Sequence, residues 1–325
     1  MKMHEIQQLS LKWAAAAPDG QAKSMQEVLR AMGLDPGELY QELEMTSRFV
    51  DTHRDESVPG SRVNLHSHSF YEVLYCRSSC GTEYLVGSER YRLQRGDIII
   101  VAPGVSHMPI LPENMPEPYR RYVLWISAAF AQSVRELFPV LGDIPGGGAE
   151  LVRTAGTRWE FLGDLFRSGV QMAESGAEDS EAMVVANTLT LMVQLRRAIY
   201  QDGGSVLRAE RPELLDQVMA YVEKNLHRKL TLAEVARQFY VSESTVSQMF
   251  RQRLGISFHR CITQRRLIAA KLLIEGEELL EDVGQKVGFA DYSAFYRAFR
   301  QEYGISPRQY RKRSITDRAG AGIEL

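Results

Sequence analysis

The spacing of apolar positions changes several times along this 325-residue chain. Apolar residues three and four apart mark a helix face, and short β-branched or aromatic runs mark strands. Residues 1–45 read as a helical, peripheral extension. There Ser24-Met-Gln-Glu27 has the form of a capping box ahead of Val28, Leu29 and Met32, and Gly33 fits the stop. From about Thr46 the runs shorten. Val63 to Leu65, Glu72 to Cys76, Glu83 to Val86, Arg90 to Leu93, Asp97 to Ala102 and Tyr122 to Ile126 are punctuated by Gly, Pro and Ser. This pattern predicts a small antiparallel barrel or sandwich over 46–130. Residues 131–205 return to helical spacing. A start at Ala131–Leu137 precedes a joint at Pro145-Gly-Gly-Gly148, then helices over Arg158–Ala173 and Glu181–Tyr200. In the last of these, Val184, Thr188, Leu191, Leu195 and Ala198 share a face, suited either to the chain's own core or to a two-fold dimer. Gln201-Asp-Gly-Gly-Ser205 reads as a linker, and Pro212 as the opening of another helix.

Residues 206–315 contain a repeat. Phe250-Arg-Gln-Arg-Leu-Gly-Ile-Ser257 recurs as Phe299-Arg-Gln-Glu-Tyr-Gly-Ile-Ser306, and Leu232-Ala-Glu-Val235 parallels Leu280-Glu-Asp-Val283, with one residue inserted between the two matches. Each copy reads as helix, turn, helix. Thr231 and Ser242 serve as N-caps in the first, with Thr231-x-x-Glu234 as a capping box. Asp291 caps the second helix of the other copy, and Gly255 and Gly304 end these helices. A helix-turn-helix built twice is a DNA-binding plan.

Charge supports this. The whole chain has a formal net charge of −2, which alone argues against a general nucleic-acid binder. Arg228 to Lys271, however, carries nine Lys/Arg against two acidic residues, and Lys286 to Arg313 carries seven against two. An acidic knot of Glu275, Glu277, Glu278, Glu281 and Asp282 separates them. Two basic blocks in an otherwise acidic chain suit a local phosphate-binding surface. No apolar run is long enough to span a membrane, and the start lacks a signal-peptide pattern, so the expected location is the cytoplasm. Cys76, Cys80 and Cys261 are too few and scattered for a disulfide framework.

Gly288-Phe289, Phe295, Phe299-Arg300, Gly304, Ser306-Pro307 and Tyr310-Arg311 resemble the C-terminal signature of the AraC/XylS family of transcription regulators. The resemblance covers about 212–313. It implies a long helix between the modules, matched by Phe258–Ile274, a stiff spacer that could set them on neighbouring major-groove faces. It also places base-reading positions at Ser244, Ser247 and Gln248 in the first module and at Tyr292, Ser293 and Arg297 in the second. Gln and Arg have bidentate partners in adenine and guanine. Arg251, Arg265 and Arg300 read as phosphate contacts.

A second constellation lies in the barrel. His66-Ser-His68, Glu72 and His107, with Gly96-Asp97 and Pro103-Gly104, resemble the two motifs of cupins, whose metal-ligand positions fall on His66, His68, Glu72 and His107. Three imidazoles and a carboxylate suit a divalent transition metal, and the same groups could hydrogen-bond a sugar or carboxylate effector. The expected fold is α+β: a cupin-like antiparallel barrel, a linking helical pair, an all-α domain with two helix-turn-helix modules, and a tail at 316–325. The expected function is a DNA-binding regulator, on the resemblance an activator. It would sense a small metabolite, act as a homodimer with RNA polymerase, and catalyse no reaction. The alternatives are a metal-dependent cupin enzyme and a regulator whose front domain only dimerises.

Overall fold

The computed structural model describes residues 45, 47–59, 63, 65–141, 149–200, 213–276 and 278–312. The helical extension at 1–44, the joint at Pro145–Gly148, the linker Gln201–Ser205, Pro212 and the tail lie outside them. The chain divides into two compact units, residues 47–268 and the remainder.

The first unit opens with strands β1 (Val50–Ser57), β2 (Phe70–Cys76), β3 (Glu83–Val86), β4 (Glu89–Arg92), β5 (Asp97–Val101), β6 (His107–Ile110) and β7 (Tyr119–Ser127). Helix α1 (Ala128–Leu137) follows, then β8 (Ala149–Arg153), α2 (Leu162–Glu174) and α3 (Ser180–Tyr200). The strands form two antiparallel sheets, in the orders β1-β7-β2-β5-β8 and β4-β3-β6. The predicted antiparallel domain is thus built as a larger and a smaller sheet, and a single bridge between His66 and His107 extends the pairing at one edge. Three strands fall outside the expected runs, β1, β6 and β8. Val63 and Leu65 lie in no strand, and β1 pairs with β7 at the sheet edge. Strand β8, inside the segment expected to be helical, pairs with β5 from Asp97↔Arg153 to Val101↔Ala149.

Strand alternation gives the larger sheet two unlike faces. Val73, Ile98, Ile100, Leu124, Ile126 and Val152 point to the side covered by α2 and α3, where they join Leu162, Phe166, Val184, Leu191, Leu195 and Ala198 in one core. The predicted stripe of α3 is therefore buried in its own chain. The opposite face is mixed, with polar groups at one end beside buried Leu74, Ile99, Val101 and Val123. His53, Asp55 and Ser57 of β1 lie on the same side as Glu72 of β2 and as Tyr119, Arg121 and Trp125 of β7.

The rest of this unit is the first helix-turn-helix module. It comprises α4 (Leu214–Lys224), α5 (Leu232–Gln238) and α6 (Glu243–Met249), a wide turn over Phe250–Leu254, and the start of α7 (Phe258–Glu275). Leu65 and the outward residues Leu85 of β3 and Met108 of β6 share a core with Leu215, Val218, Met219 and Val222 of α4. The module thus packs on the smaller sheet.

The second unit holds the other module, α8 (Leu280–Lys286) and α9 (Tyr292–Tyr303), around buried Val283, Phe295 and Phe299. The predicted caps are in place. Thr231 accepts from the Glu234 N–H at 3.2 Å, Ser242 from Thr245 at 3.0 Å and Asp291 from Ala294 at 2.7 Å. The Glu234 carboxylate is engaged instead by Arg228 and Tyr221. Gly255 and Gly304 take φ of 69° and 75°, as helix-ending glycines do.

Candidate DNA-reading modules and effector site

Helices α6 and α9, the candidate reading helices, present their polar residues outward because apolar residues at helical spacing anchor the opposite face. On α6, Val246 is buried while Ser244 and Gln248 are exposed and Ser247 is half-buried. On α9, Phe295 and Phe299 are fully buried, and Tyr292, Ser293 and Arg297 are exposed. The Ser244 hydroxyl is hydrogen-bonded to the cap residue Ser242 at 2.7 Å, which ties it to the helix start. Arg251 and Arg300 are exposed, as phosphate contacts must be.

Arg265 is not. It is 2% exposed, pairs with Glu223 of α4, and donates to the Gly87 carbonyl at 2.6 Å. A guanidinium sealed between a carboxylate and the carbonyl of the β3–β4 turn cannot also reach a phosphate, so the phosphate role expected from sequence does not hold for this residue.

The modules differ at their helix crossing. The turn hydrogen bonds Val241 N–H to the Ala236 carbonyl (3.0 Å) and Phe289 N–H to the Gly284 carbonyl (2.9 Å) align Ala236 with Gly284. The caps Ser242 and Asp291 align one residue further apart, so the inserted residue is Ala290. Opposite Ala236 the first module carries Val246. Opposite Gly284 the second carries Phe295, whose Cβ lies 2.8 Å from where a Gly284 side chain would begin. Small meets large in one copy, and two middle-sized residues meet in the other.

Between the two sheets, the four predicted pocket residues converge. The rings of His66 and His107 are 4.3 Å apart, those of His68 and His107 4.8 Å, and those of His66 and His68 6.2 Å. One ring nitrogen from each histidine can be chosen so that all three lie within 4.8 Å of one another. Glu72 Oε2 is 3.2 Å from His107 Nε2 and 4.0 Å from His68 Nε2.

The surroundings fix the chemistry. His68 Nδ1 lies 2.8 Å from the Phe70 carbonyl and His107 Nδ1 2.9 Å from the Val105 carbonyl. A carbonyl only accepts, so both Nδ1 atoms carry the proton, and in the neutral rings both Nε2 atoms turn a lone pair inward. Those two buried Nε2 atoms have no hydrogen-bond partner; the His107–Glu72 approach is close but not aligned for one. Glu72 is held by Trp125 Nε1 at 2.9 Å and by the Tyr84 hydroxyl at 3.2 Å. Burial works against the Glu72 charge, but His107 and His68, when they carry a proton toward it, outweigh burial and hold the carboxyl well below its usual range. Burial pushes His68 down. A carboxylate facing inward lone pairs requires positive charge between them, supplied by protons or by a cation. The three imidazoles, two of them oriented through Nδ1 by carbonyls, fit a divalent transition metal, whereas Glu72, expected from sequence as a fourth ligand, lies outside that group and is held by Trp125 and Tyr84.

Sequence reasoning missed the wall around this cluster. Arg121 is buried, paired with Asp55 and donating to Ser57 Oγ at 3.1 Å. The Tyr119 hydroxyl is fully buried without a partner. No alternation marked these residues in the sequence, because β1 and the start of β7 are polar at successive positions.

Two family models match the chain: an AraC-like ligand binding domain over residues 52–154 and a helix-turn-helix domain over 235–313. The chain belongs to the AraC family of transcriptional regulators. Its similar proteins include the HTH-type transcriptional activator RhaR of Yersinia pseudotuberculosis, 25% identical over 263 residues, 77% of this chain and 85% of RhaR. The HTH-type transcriptional activator RhaS of Salmonella schwarzengrund is 26% identical over 255 residues, 76% of this chain and 87% of RhaS. Among solved structures, the C-terminal domain of AraT, a response regulator from Geobacillus stearothermophilus, is 32% identical, spans 32% of this chain and 88% of that one, and has a TM-score of 0.31. ToxT of Vibrio cholerae is 13% identical, spans 82% of this chain and 98% of that one, and has a TM-score of 0.33. The AraC-family member described here is a DNA-binding regulator with a small-molecule-sensing front domain. No described helix is long and apolar enough to cross a membrane.

Proposed function

We propose that this regulator activates transcription in response to a sugar or related polyol bound between the two sheets, at His66, His68, Glu72 and His107. The observation that carries the site is the pair of buried, unpartnered His68 and His107 Nε2 atoms aimed at one carboxylate. Buried polar atoms are rarely left unpaired unless something binds them. Tyr119 and Arg121 add hydroxyl and guanidinium hydrogen-bonding groups to the same face. The three histidines would hold a divalent ion beside the Glu72 carboxylate, and its chemistry is to grip an effector oxygen as a Lewis acid. The residues themselves orient the rings, hold the carboxylate charged and keep the cluster dry. Activation follows the activators among its relatives, and contact with RNA polymerase belongs to that reading.

We also propose a homodimer. Leu137, Phe138 and Val140, at the end of α1, are 60%, 50% and 72% exposed and supply an apolar surface for a second copy. Sedimentation of wild type and V140D at tens of micromolar tests this; a wild-type monomer there overturns it.

The pocket is tested on the full chain by metal content after purification, and by sugar and polyol binding with and without Zn²⁺. Wild type should bind one ion per chain, and H68A/H107A none. Equal binding by both proteins would remove the site.

A further inference from the structure

Tyr240, in the turn between α5 and α6, has φ of 55° and is the one described non-glycine residue with positive φ. That region crowds the Cβ of an L-residue against the backbone, and a bulky residue there is an outlier. The second module shows what the turn prefers. The matched hydrogen bonds Val241 to Ala236 and Phe289 to Gly284 set Tyr240 opposite Gly288, whose φ is 94°. The turn is therefore built for glycine, and the first module carries a tyrosine in it.

The fold gains no burial from that tyrosine, which is 96% exposed. Backbone strain under a solvent-facing side chain points to a contact made outside the free molecule. The position says which contact. Ser242, two residues on, caps α6, and the exposed Ser244 and Gln248 follow. A recognition helix enters the major groove with its N-terminal residues, so the residues just ahead of it lie at the groove's rim, where the phosphates run. Tyrosine hydroxyls are among the groups that bind phosphate oxygens there.

We propose that Tyr240 donates a hydrogen bond from its hydroxyl to a phosphate of the operator, fixing the depth and register of α6 in the groove. The proposal rests on the reading of this module as a DNA reader. A neutral donor releases no counterion, so its loss weakens binding equally at every salt concentration, unlike the loss of Lys or Arg.

The test uses the full chain and a duplex that the full chain enriches from a random library. Y240F should bind about tenfold more weakly, the scale of one hydrogen bond to a charged group. Its plot of log affinity against log salt should run parallel to wild type, and its base preference should not change. Y240G should bind no better than Y240F yet melt no lower than wild type, because glycine removes the strain. A methylphosphonate at the contacted phosphate should weaken wild type and leave Y240F unaffected. Wild-type affinity in both variants overturns the proposal, as does a Y240G that melts well below wild type. Variants that keep duplex affinity but lose transcription would place the contact on the polymerase and also overturn it. A wild-type chain that enriches no duplex would instead overturn the DNA-binding reading itself.

Discussion

Arg90 of β4 and Asp216 of α4 form a two-pronged ion pair, Nε to Oδ1 at 2.8 Å and Nη2 to Oδ2 at 3.1 Å, with both side chains at most 9% exposed. Glu83 and Glu213 close on the same guanidinium at 2.8 and 2.7 Å. This pair joins the sensing domain to the first DNA-reading module, beside the Leu85 and Met108 contacts. Removing the cation leaves a buried carboxylate unpaired, which costs about 3–5 kcal/mol. R90M should lower stability on that scale and speed amide exchange across Leu214–Lys224. The exchanged pair R90D/D216R should recover part of the loss. An R90M chain that melts like wild type would show the pair to be incidental.

The crossing of α8 and α9 leaves no room for a methyl group at Gly284, where a Cβ would lie 2.8 Å from Phe295 Cβ and 3.1 Å from its Cγ. G284A should cost about 1–3 kcal/mol through overpacking. Adding F295V installs the residue pair of the first module and should recover much of it. Thermal denaturation of the three proteins checks this; a G284A protein as stable as wild type would mean that the crossing relaxes freely.

Arg297 and Arg251 should separate by what their loss does. If Arg297 reads guanine, R297A weakens the preferred duplex by about 1–3 kcal/mol and relaxes preference at one base pair. R251A should weaken all sequences alike and reduce the salt slope by about one. Selection from random duplexes with each variant distinguishes them, and an unchanged preference in R297A would remove it from the base-reading set.

The helical third was legible because each of its signals is local. Caps, helix-ending glycines and apolar spacing lie within a few residues of the structure they specify, as Thr231, Ser242, Asp291 and Gly304 show. The His66 and His68 pair is local too, but His107 was legible only through the resemblance to the cupin motifs, since it lies far along the chain from them. Strand β1 was not, because its inward positions His53, Asp55 and Ser57 are polar and erase the alternation that marks a half-buried strand. Strand β8 is five residues long, and it gains its place only by pairing with β5, some fifty residues earlier. Arg265 failed for the same reason of distance. Its partners Glu223 and Gly87 come from elements far away in sequence, and a basic residue in a basic block reads as a phosphate ligand until they are known.

The strands β3 and β6 each present neighbouring residues to opposite sides. Tyr84 reaches Glu72 while Leu85 packs on the DNA-reading module, and His107 joins the histidine cluster while Met108 packs outward. One peptide layer thus carries the histidine cluster on one side and seats the first helix-turn-helix module on the other. If the effector binds at this cluster, changes on these strands should move recognition and output together. Redesign of this sensor for a new inducer will therefore alter the dose-response curve along with the specificity, and variant libraries at Tyr84, Val86 or His107 should be selected on promoter output rather than on affinity alone.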